Sequence, residues 1–254
     1  MRAPIVITSR DNPFVKELRR LVAGGGRTRV WLEGEHLCSA LLARGQRPAI
    51  AVFAQSFWPV APLHWTHMAD KNVIVADGLW AGISSLESPA PMGCVLELPP
   101  ALPLDLHVPT VVLDRVQDAG NVGSILRSAA AFGFRQIAAL KGTALLWSPK
   151  VLRAGMGAHF GLRLVQGLQL SDIAALRLPL LATHVHQGEW LHCADLPWPC
   201  GWILGHEGQG IAPELAQLAR QTIRICQPGG EESLNVAAAA AICLHASAAV
   251  QGGF

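Results

Sequence analysis

Apolar and polar positions follow two rhythms along this chain. Short apolar runs bounded by glycine, proline or asparagine predict strands, and apolar positions recurring every three to four residues predict helices. In the first hundred residues "RVWLEG", "AIAVFA" and "NVIVAD" read as strands. Asp11–Ala23 reads as a helix, with Phe14, Val15, Leu18, Leu21 and Val22 on one side and Lys16, Arg19 and Arg20 on the other. "LPPALPLDLHVP", residues 98–109, is too rich in proline for either rhythm and reads as a connection. Beyond it the alternation is regular: "TVVLD", a helix from Asn121 to Phe132, "QIAAL", a helix near Pro149–Met156, "LRLV" and a short helix. Then come "PLLATHV", "GWILG", a helix near Ala212–Ala219, "TIRI" and a final alanine-rich helix from Val236. Unbroken apolar strands alternating with helices imply a parallel sheet covered on both faces. The expected organisation is therefore a small α/β domain (1–100), a proline-rich linker (101–109) and a parallel-sheet domain (110–254).

Composition narrows the class. Of 254 residues, 51% are hydrophobic and 15% charged, which excludes a disordered chain. The net charge of +2 is small but uneven. Residues 1–30 carry seven basic side chains against Asp11 and Glu17, so this segment is +5 and the rest is −3. Such a localised basic face is the footprint of a polyanion-binding surface, here Arg10, Lys16, Arg19, Arg20, Arg27 and Arg29, with Arg2 beside them. The six cysteines form no CxxC pair, and the sequence opens without a signal-type apolar stretch. The longest apolar run, Val236–Leu244, is too short for a bilayer, which needs about 20 residues. A cytoplasmic protein with reduced thiols and no membrane association is expected.

Three polar, glycine-bearing loops follow strands of the second region, where parallel sheets bind ligands. In "LDRVQDAGNVGSILRSAAAFGF" a strand ends at Asp114, and Asp118, Gly120 and Asn121 read as a turn and cap. Arg127 then stands on a helix of small and apolar residues, either as a surface residue or aimed at an anion. "WILGHEGQGIAPEL" places three glycines around Glu207, spaced G-x-x-G-x-G. It is neither the dinucleotide fingerprint nor a P-loop. In "PGGEESLNVAAAAA" Ser233 reads as the helix N-cap. Asn235 would then lie in the first turn, where asparagine is a poor helix former, and its amide is better used in holding another loop.

Taken together and in order, the three loops resemble the SpoU (TrmH-like) family of RNA ribose 2′-O-methyltransferases, of the SPOUT class. The likeness spans about Thr110 to Ala249, and "ITSRDNPFVKELRRL…VWLEGEHLCSALLARG" is similar to the L30e-like substrate-binding domain found ahead of many such catalytic domains. The resemblance implies a deep trefoil knot, S-adenosylmethionine as cofactor, RNA as substrate (ribosomal RNA ahead of transfer RNA) and a homodimer whose sites form across the interface. It implies Asn121, Arg127, Glu207, Ser233 and Asn235 as catalytic residues. Cofactor contacts are implied around Thr183, Leu204, Gly205, Glu207, Gly208, Ile225, Gln227, Ser233 and Leu234. The chain departs from the family pattern at His206, where asparagine is usual, and at Cys226, where proline is usual. The basic pair after the first helix is thinned to "GGGRTR".

A guanidinium holds its proton at all accessible pH, so Arg127 is expected to clamp a phosphate and stabilise a developing alkoxide rather than act as base. "THVHQGEWLHC" gathers His184, His186, His192 and Cys193 but supplies no carboxylate at ligand spacing, so an ordinary polar loop and no metal site are expected. Two other readings stand beside the enzyme: a catalytically inactive RNA-binding or ribosome-assembly factor on the same fold, and methylation of a base instead of a ribose.

Overall fold

The computed structural model describes residues 3–84 and 86–250. Arg2 lies outside the described residues. The chain divides into two compact units, Met1–Pro100 with Trp147–Leu152, and Ala101–Leu146 with Arg153–Phe254.

The first unit runs β1 (Ile5–Ile7), α1 (Pro13–Val22), β2 (Arg29–Glu33), α2 (Glu35–Ala43), β3 (Ile50–Ala54), α3 (Leu63–Thr66), β4 (Asn72–Val75), α4 (Asp77–Trp80) and β5 (Met92–Glu97). Helix α1 starts where Asn12 accepts a hydrogen bond from the Phe14 N–H at 2.9 Å and Pro13 takes the first helical position. It buries Val15, Leu18 and Leu21 and turns Lys16, Arg19 and Arg20 outward. The strands order as β1-β4-β3-β5-β2, mixed in direction because β5 pairs antiparallel with both β3 and β2. The helix is shorter than the expected Asp11–Ala23, because Asn12 caps it and proline cannot extend it backwards.

The second unit holds β6 (Thr110–Leu113), α5 (Ala119–Ala131), β7 (Gln136–Leu140), β8 (Arg163–Leu168), α7 (Leu170–Ala174), β9 (Leu180–Thr183), β10 (Glu189–Trp190), β11 (Gly201–Leu204), α8 (Pro213–Ala216), β12 (Gln221–Arg224) and α9 (Val236–Val250); α6 (Pro149–Gly155) lies between β7 and β8 in sequence. Its seven strands, ordered β10-β12-β9-β11-β6-β7-β8, are parallel at every pairing. The fully buried strands β6 and β11 explain their continuous apolar runs. The stretch 101–109 is irregular yet fixed to this unit. Asp105 and Gln136 exchange two hydrogen bonds of 2.9 Å, and Leu104 and Leu106 pack on the core beside Ile173 and Leu180.

Helix α9 packs on α5 and β11. The Trp202 indole N–H donates to Ser247 at 2.8 Å, satisfying two buried polar groups at once. Burial pushes the Cys243 thiol up to about 12 and the Cys200 thiol up to about 11, so both behave as small hydrophobes. Gly123 on α5 meets the backbone at Ala154–Gly155 so closely that a Cβ would lie 2.3 Å from the Ala154 Cβ. No helix among the described residues is long and apolar enough to cross a membrane.

Candidate active site

Four neighbouring strands, β12, β9, β11 and β6, end on the same side of a parallel sheet, and their following loops build one site. The loops after β9, β11 and β12 line a cavity of about 560 Å³, and the loop after β6 is hydrogen-bonded to Glu207 on its wall. Of the nine residues expected to hold a cofactor, Thr183, Gly205, Glu207, Gly208, Ile225, Gln227, Ser233 and Leu234 line it. Leu204 instead is wholly buried at the end of β11.

The loop after β11 is closed on itself. His206 and Gly210 exchange both backbone hydrogen bonds, at 3.0 and 2.8 Å, and Gly210 takes φ +69°, a region that favours glycine. Within it the His206 Nδ1 accepts from the N–H groups of Gly208 (2.9 Å) and Gln209 (3.2 Å). His184, after β9, does the same for His186 and Gln187, both at 3.0 Å.

Glu207 points out of this loop into the one after β6. It accepts from the backbone of Gln117 (3.2 Å) and Asp118 (3.1 Å) and from the Asn121 amide (3.1 Å). Partial burial pushes the Glu207 carboxyl up, but the Asn121 amide and the backbone donors of Glu207, Asp118 and Gln117 outweigh it and hold the group below its ordinary value. The sign follows from linkage. This bracing is present above the ordinary carboxylate range and is lost only as pH falls through the depressed folded value. A carboxylate already accepting three donors is a brace, not a base.

The Asn121 amide oxygen in turn accepts from the Asn235 amide at 2.9 Å, and Asn235 Oδ1 accepts from Ala237 (2.9 Å) and Ala238 (3.3 Å). Asn235, not Ser233, is therefore the N-cap of α9. One side chain does both jobs, its oxygen reaching the second and third helical N–H groups while its nitrogen reaches the neighbouring loop. The cap of α5 is likewise Asp118, whose Oδ1 accepts from Asn121 N at 2.7 Å, so Gly120 and Asn121 already lie inside the helix. Glu207, Asn121 and Asn235 thus form a single hydrogen-bonded chain through all three loops.

A second brace was not legible in the sequence. The buried Asp114 takes two hydrogen bonds from Arg115, at 2.7 and 2.9 Å, and one from the Ala212 N–H at 2.7 Å. Arg115, held at φ +56°, extends to Gln209 at 3.0 Å. The loops after β6 and β11 therefore each send a carboxylate into the other's backbone.

Arg127 is exposed and has no hydrogen bond or ion pair among the described residues. Six residues beyond Asn121, it lies about 120° around α5 from that residue, on the outward face with Gly120, Ser124 and Ala131. Ser233 is exposed at the cavity wall. His184, His186, His206 and Glu232 also line the cavity, although their roles left no signature in residue spacing. Among the described residues no cluster of histidine, cysteine, aspartate or glutamate could hold a metal ion.

In the first unit Arg20, Arg27 and Arg29 line a groove of about 360 Å³ with Glu17 and Glu97. Arg29 is committed there, bonded to Glu97 at 2.6 Å and Glu17 at 3.2 Å, which leaves Arg20 and Arg27 as its outward cations. Arg10, Lys16 and Arg19 are exposed outside the groove, with Lys16 3.6 Å from Asp11.

A parallel sheet whose loops close a small-molecule cavity over three adjacent strand ends, β12, β9 and β11, defines the class of α/β protein that binds a cofactor at the sheet's C-terminal edge. The model of the SpoU rRNA Methylase family matches residues 109–245. An uncharacterised tRNA/rRNA methyltransferase of Synechocystis is 32% identical over 259 residues, covering 94% of this chain and 92% of the relative. The 23S rRNA (guanosine(2553)-2'-O)-methyltransferase RlmP of Bacillus subtilis is 26% identical, with 94% and 97% covered. The solved AdoMet-bound rRNA methyltransferase from Sinorhizobium meliloti is similar with a TM-score of 0.82 at 26% identity, over 95% of this chain and 96% of that one. The chain belongs to the SpoU methylase family.

Proposed function

We propose that the chain is an S-adenosylmethionine-dependent RNA ribose 2′-O-methyltransferase acting as a homodimer, with ribosomal RNA ahead of transfer RNA as substrate. The observation that carries this reading is the chain Glu207–Asn121–Asn235, in which Asn121 ties together two residues of the cavity wall, Glu207 and Asn235. Family membership and the AdoMet-bound relative support the cofactor, and the 2'-O-methyltransferase relative supports the ribose.

The cavity suits that cofactor. Its volume is in the small-molecule range, and its walls combine glycine backbone with Ile223, Ile225 and Leu234. Gln227 adds a polar side chain to these walls. The bound cofactor supplies a sulfonium methyl to the attacking ribose 2′-oxygen. The protein's task is to hold that oxygen in line and stabilise the charge it gains as its proton leaves to water or a phosphate. Arg127 is assigned the phosphate clamp and alkoxide stabiliser, Ser233 and Asn235 the orientation of the reacting groups, and Glu207 and Asn121 the bracing of both loops.

We further assign the first unit as an L30e-like RNA-binding domain with Arg20 and Arg27 as phosphate contacts. The relatives aligned over more than nine-tenths of this chain support a shared two-part organisation. The knot is proposed for the loops after β11 and β12. It is supported by the insertion of β11 between β9 and β6 and by the small side chains of α9, which permit close passage. The homodimer is supported by exposed apolar positions on two helices packed together, Ala131 on α5 and Ala238, Ile242 and Val250 on α9.

Two measurements test the reading. Ribose-methylation mapping of total rRNA and tRNA from a strain lacking the gene is expected to show one lost 2′-O-methyl. A complete, unchanged map would support the inactive-factor reading, and a lost methyl on a nucleobase would support the base-methylating one. Glu207→Gln, which swaps an acceptor for a donor facing backbone N–H groups, is expected to weaken S-adenosylmethionine binding roughly tenfold and to lower turnover further. Unchanged calorimetric affinity and turnover would remove Glu207 from the site.

A further inference from the structure

We infer that His184 and His206 are positioning residues that make cofactor binding proton-dependent, each acting as a neutral imidazole cap that folds one wall of the cavity. The inference rests on the reading that S-adenosylmethionine occupies this cavity.

The two rings repeat one arrangement on adjacent strands. Each follows the end of its strand (β9 for His184, β11 for His206), each lines the cavity, and each accepts through Nδ1 from two consecutive backbone N–H groups at 2.9–3.2 Å. An Nδ1 that accepts two N–H donors carries no proton, so both rings must be neutral with the proton on Nε2. Protonation turns each Nδ1 from acceptor to donor, facing two N–H groups that then lose their partner. The loops carrying Gly208, Gln209 and His186 would have to open, and these are cavity walls. A sulfonium brings a second penalty, since an imidazolium lining its cavity is a like charge.

The groups around the rings do not cancel this. Behind the His206 loop, Arg115 reaches Gln209 while Asp114 is spent on Arg115 and Ala212. Glu207 is spent on the loop after β6. Near His184, the His186 ring lies 6.4 Å away, and the Arg224 guanidinium, stacked 3.5 Å from the Trp190 ring centroid, meets the His186 carbonyl at 3.4 Å. Glu232, from the loop after β12, is the remaining carboxylate lining the cavity. Neither ring has a carboxylate hydrogen-bonded to it among the described residues.

The test measures calorimetric affinity for S-adenosylmethionine and for S-adenosylhomocysteine, whose sulfur is uncharged, on the full chain at about pH 8 and about pH 5.5, either side of the histidine range. Wild type is expected to lose on the order of tenfold or more in affinity for both ligands on acidification. His184→Asn/His206→Asn, in which an amide oxygen replaces each Nδ1 without a titrating proton, is compared with itself across pH. Its ratio is expected to fall to within about twofold. A pH-independent wild type, or a double variant that keeps the wild-type ratio, overturns the inference. So does a fall confined to S-adenosylmethionine, which would leave only charge repulsion. Imidazole nitrogen shifts of the complex provide a readout independent of the variants: a proton on Nδ1 of either ring also overturns it. Failure of the underlying site reading is separate, because Gly205→Ala would then bind the cofactor as wild type does.

Discussion

Gly205→Ala is expected to lower S-adenosylmethionine affinity by at least about a hundredfold, or about 2.7 kcal/mol, while the sheet stays folded. The reason is space, not torsion. A Cβ on Gly205 would lie 2.3 Å from Gly210 C, 2.4 Å from Ile211 N and 2.7 Å from Gly210 O. All three are backbone atoms, so no side chain can swing aside. The loop is closed there by the paired hydrogen bonds of His206 and Gly210 and pinned behind by Asp114 to the Ala212 N–H. Forced overpacking costs roughly 1–3 kcal/mol, and here it is relieved only by opening the loop that shapes the cavity. The register of β11 against β6 ends at Leu204, one residue earlier, so the ladder itself need not move. Calorimetry on the purified variant, with thermal unfolding as the control for folding, decides the matter. Affinity within threefold of wild type would show that this loop does not hold the cofactor.

Much of this fold could be read from local pattern, because its strands are buried on both faces and its loops carry strong punctuation. "TVVLD", "QIAAL", "PLLATHV", "GWILG" and "TIRI" all contain strands of the parallel sheet. Local pattern failed for the short edge strands β1, of three residues, and β10, of two, and for the internal strand β5, whose apolar run abuts the prolines that read as a connection. In the site, Glu207, Asn121 and Asn235 stand out in sequence because glycine and a helix start surround them. Asp114, His184 and His206 do not, because their work depends on which strands lie side by side. The choice of Asn235 over Ser233 as cap is of the same kind. Both are good capping residues, and only the partner on the neighbouring loop, Asn121, decides between them.

Arg127→Ala is expected to cut turnover by a factor of about 10² to 10³ while leaving cofactor affinity within a few-fold, the pattern of a group used on the transition state. Its exposure and lack of partners make alanine nearly neutral for stability, so the loss would be chemical. Wild-type turnover in this variant would end the assignment. Arg127 lies about 120° around α5 from Asn121, on its exposed side. Whether it serves its own site or, in the proposed dimer, the partner's can be decided with a mixture of defective chains. Arg127→Ala subunits keep an intact cofactor loop, and Gly205→Ala subunits keep the arginine. If Arg127 acts across the interface, each mixed dimer has one complete site, and random exchange of equal amounts restores about a quarter of wild-type activity. If it acts within its own chain, no dimer in the mixture has a complete site and activity stays at the level of the separate variants. An unrestored mixture, with exchange verified by differently tagged subunits, would therefore assign Arg127 to its own subunit's site.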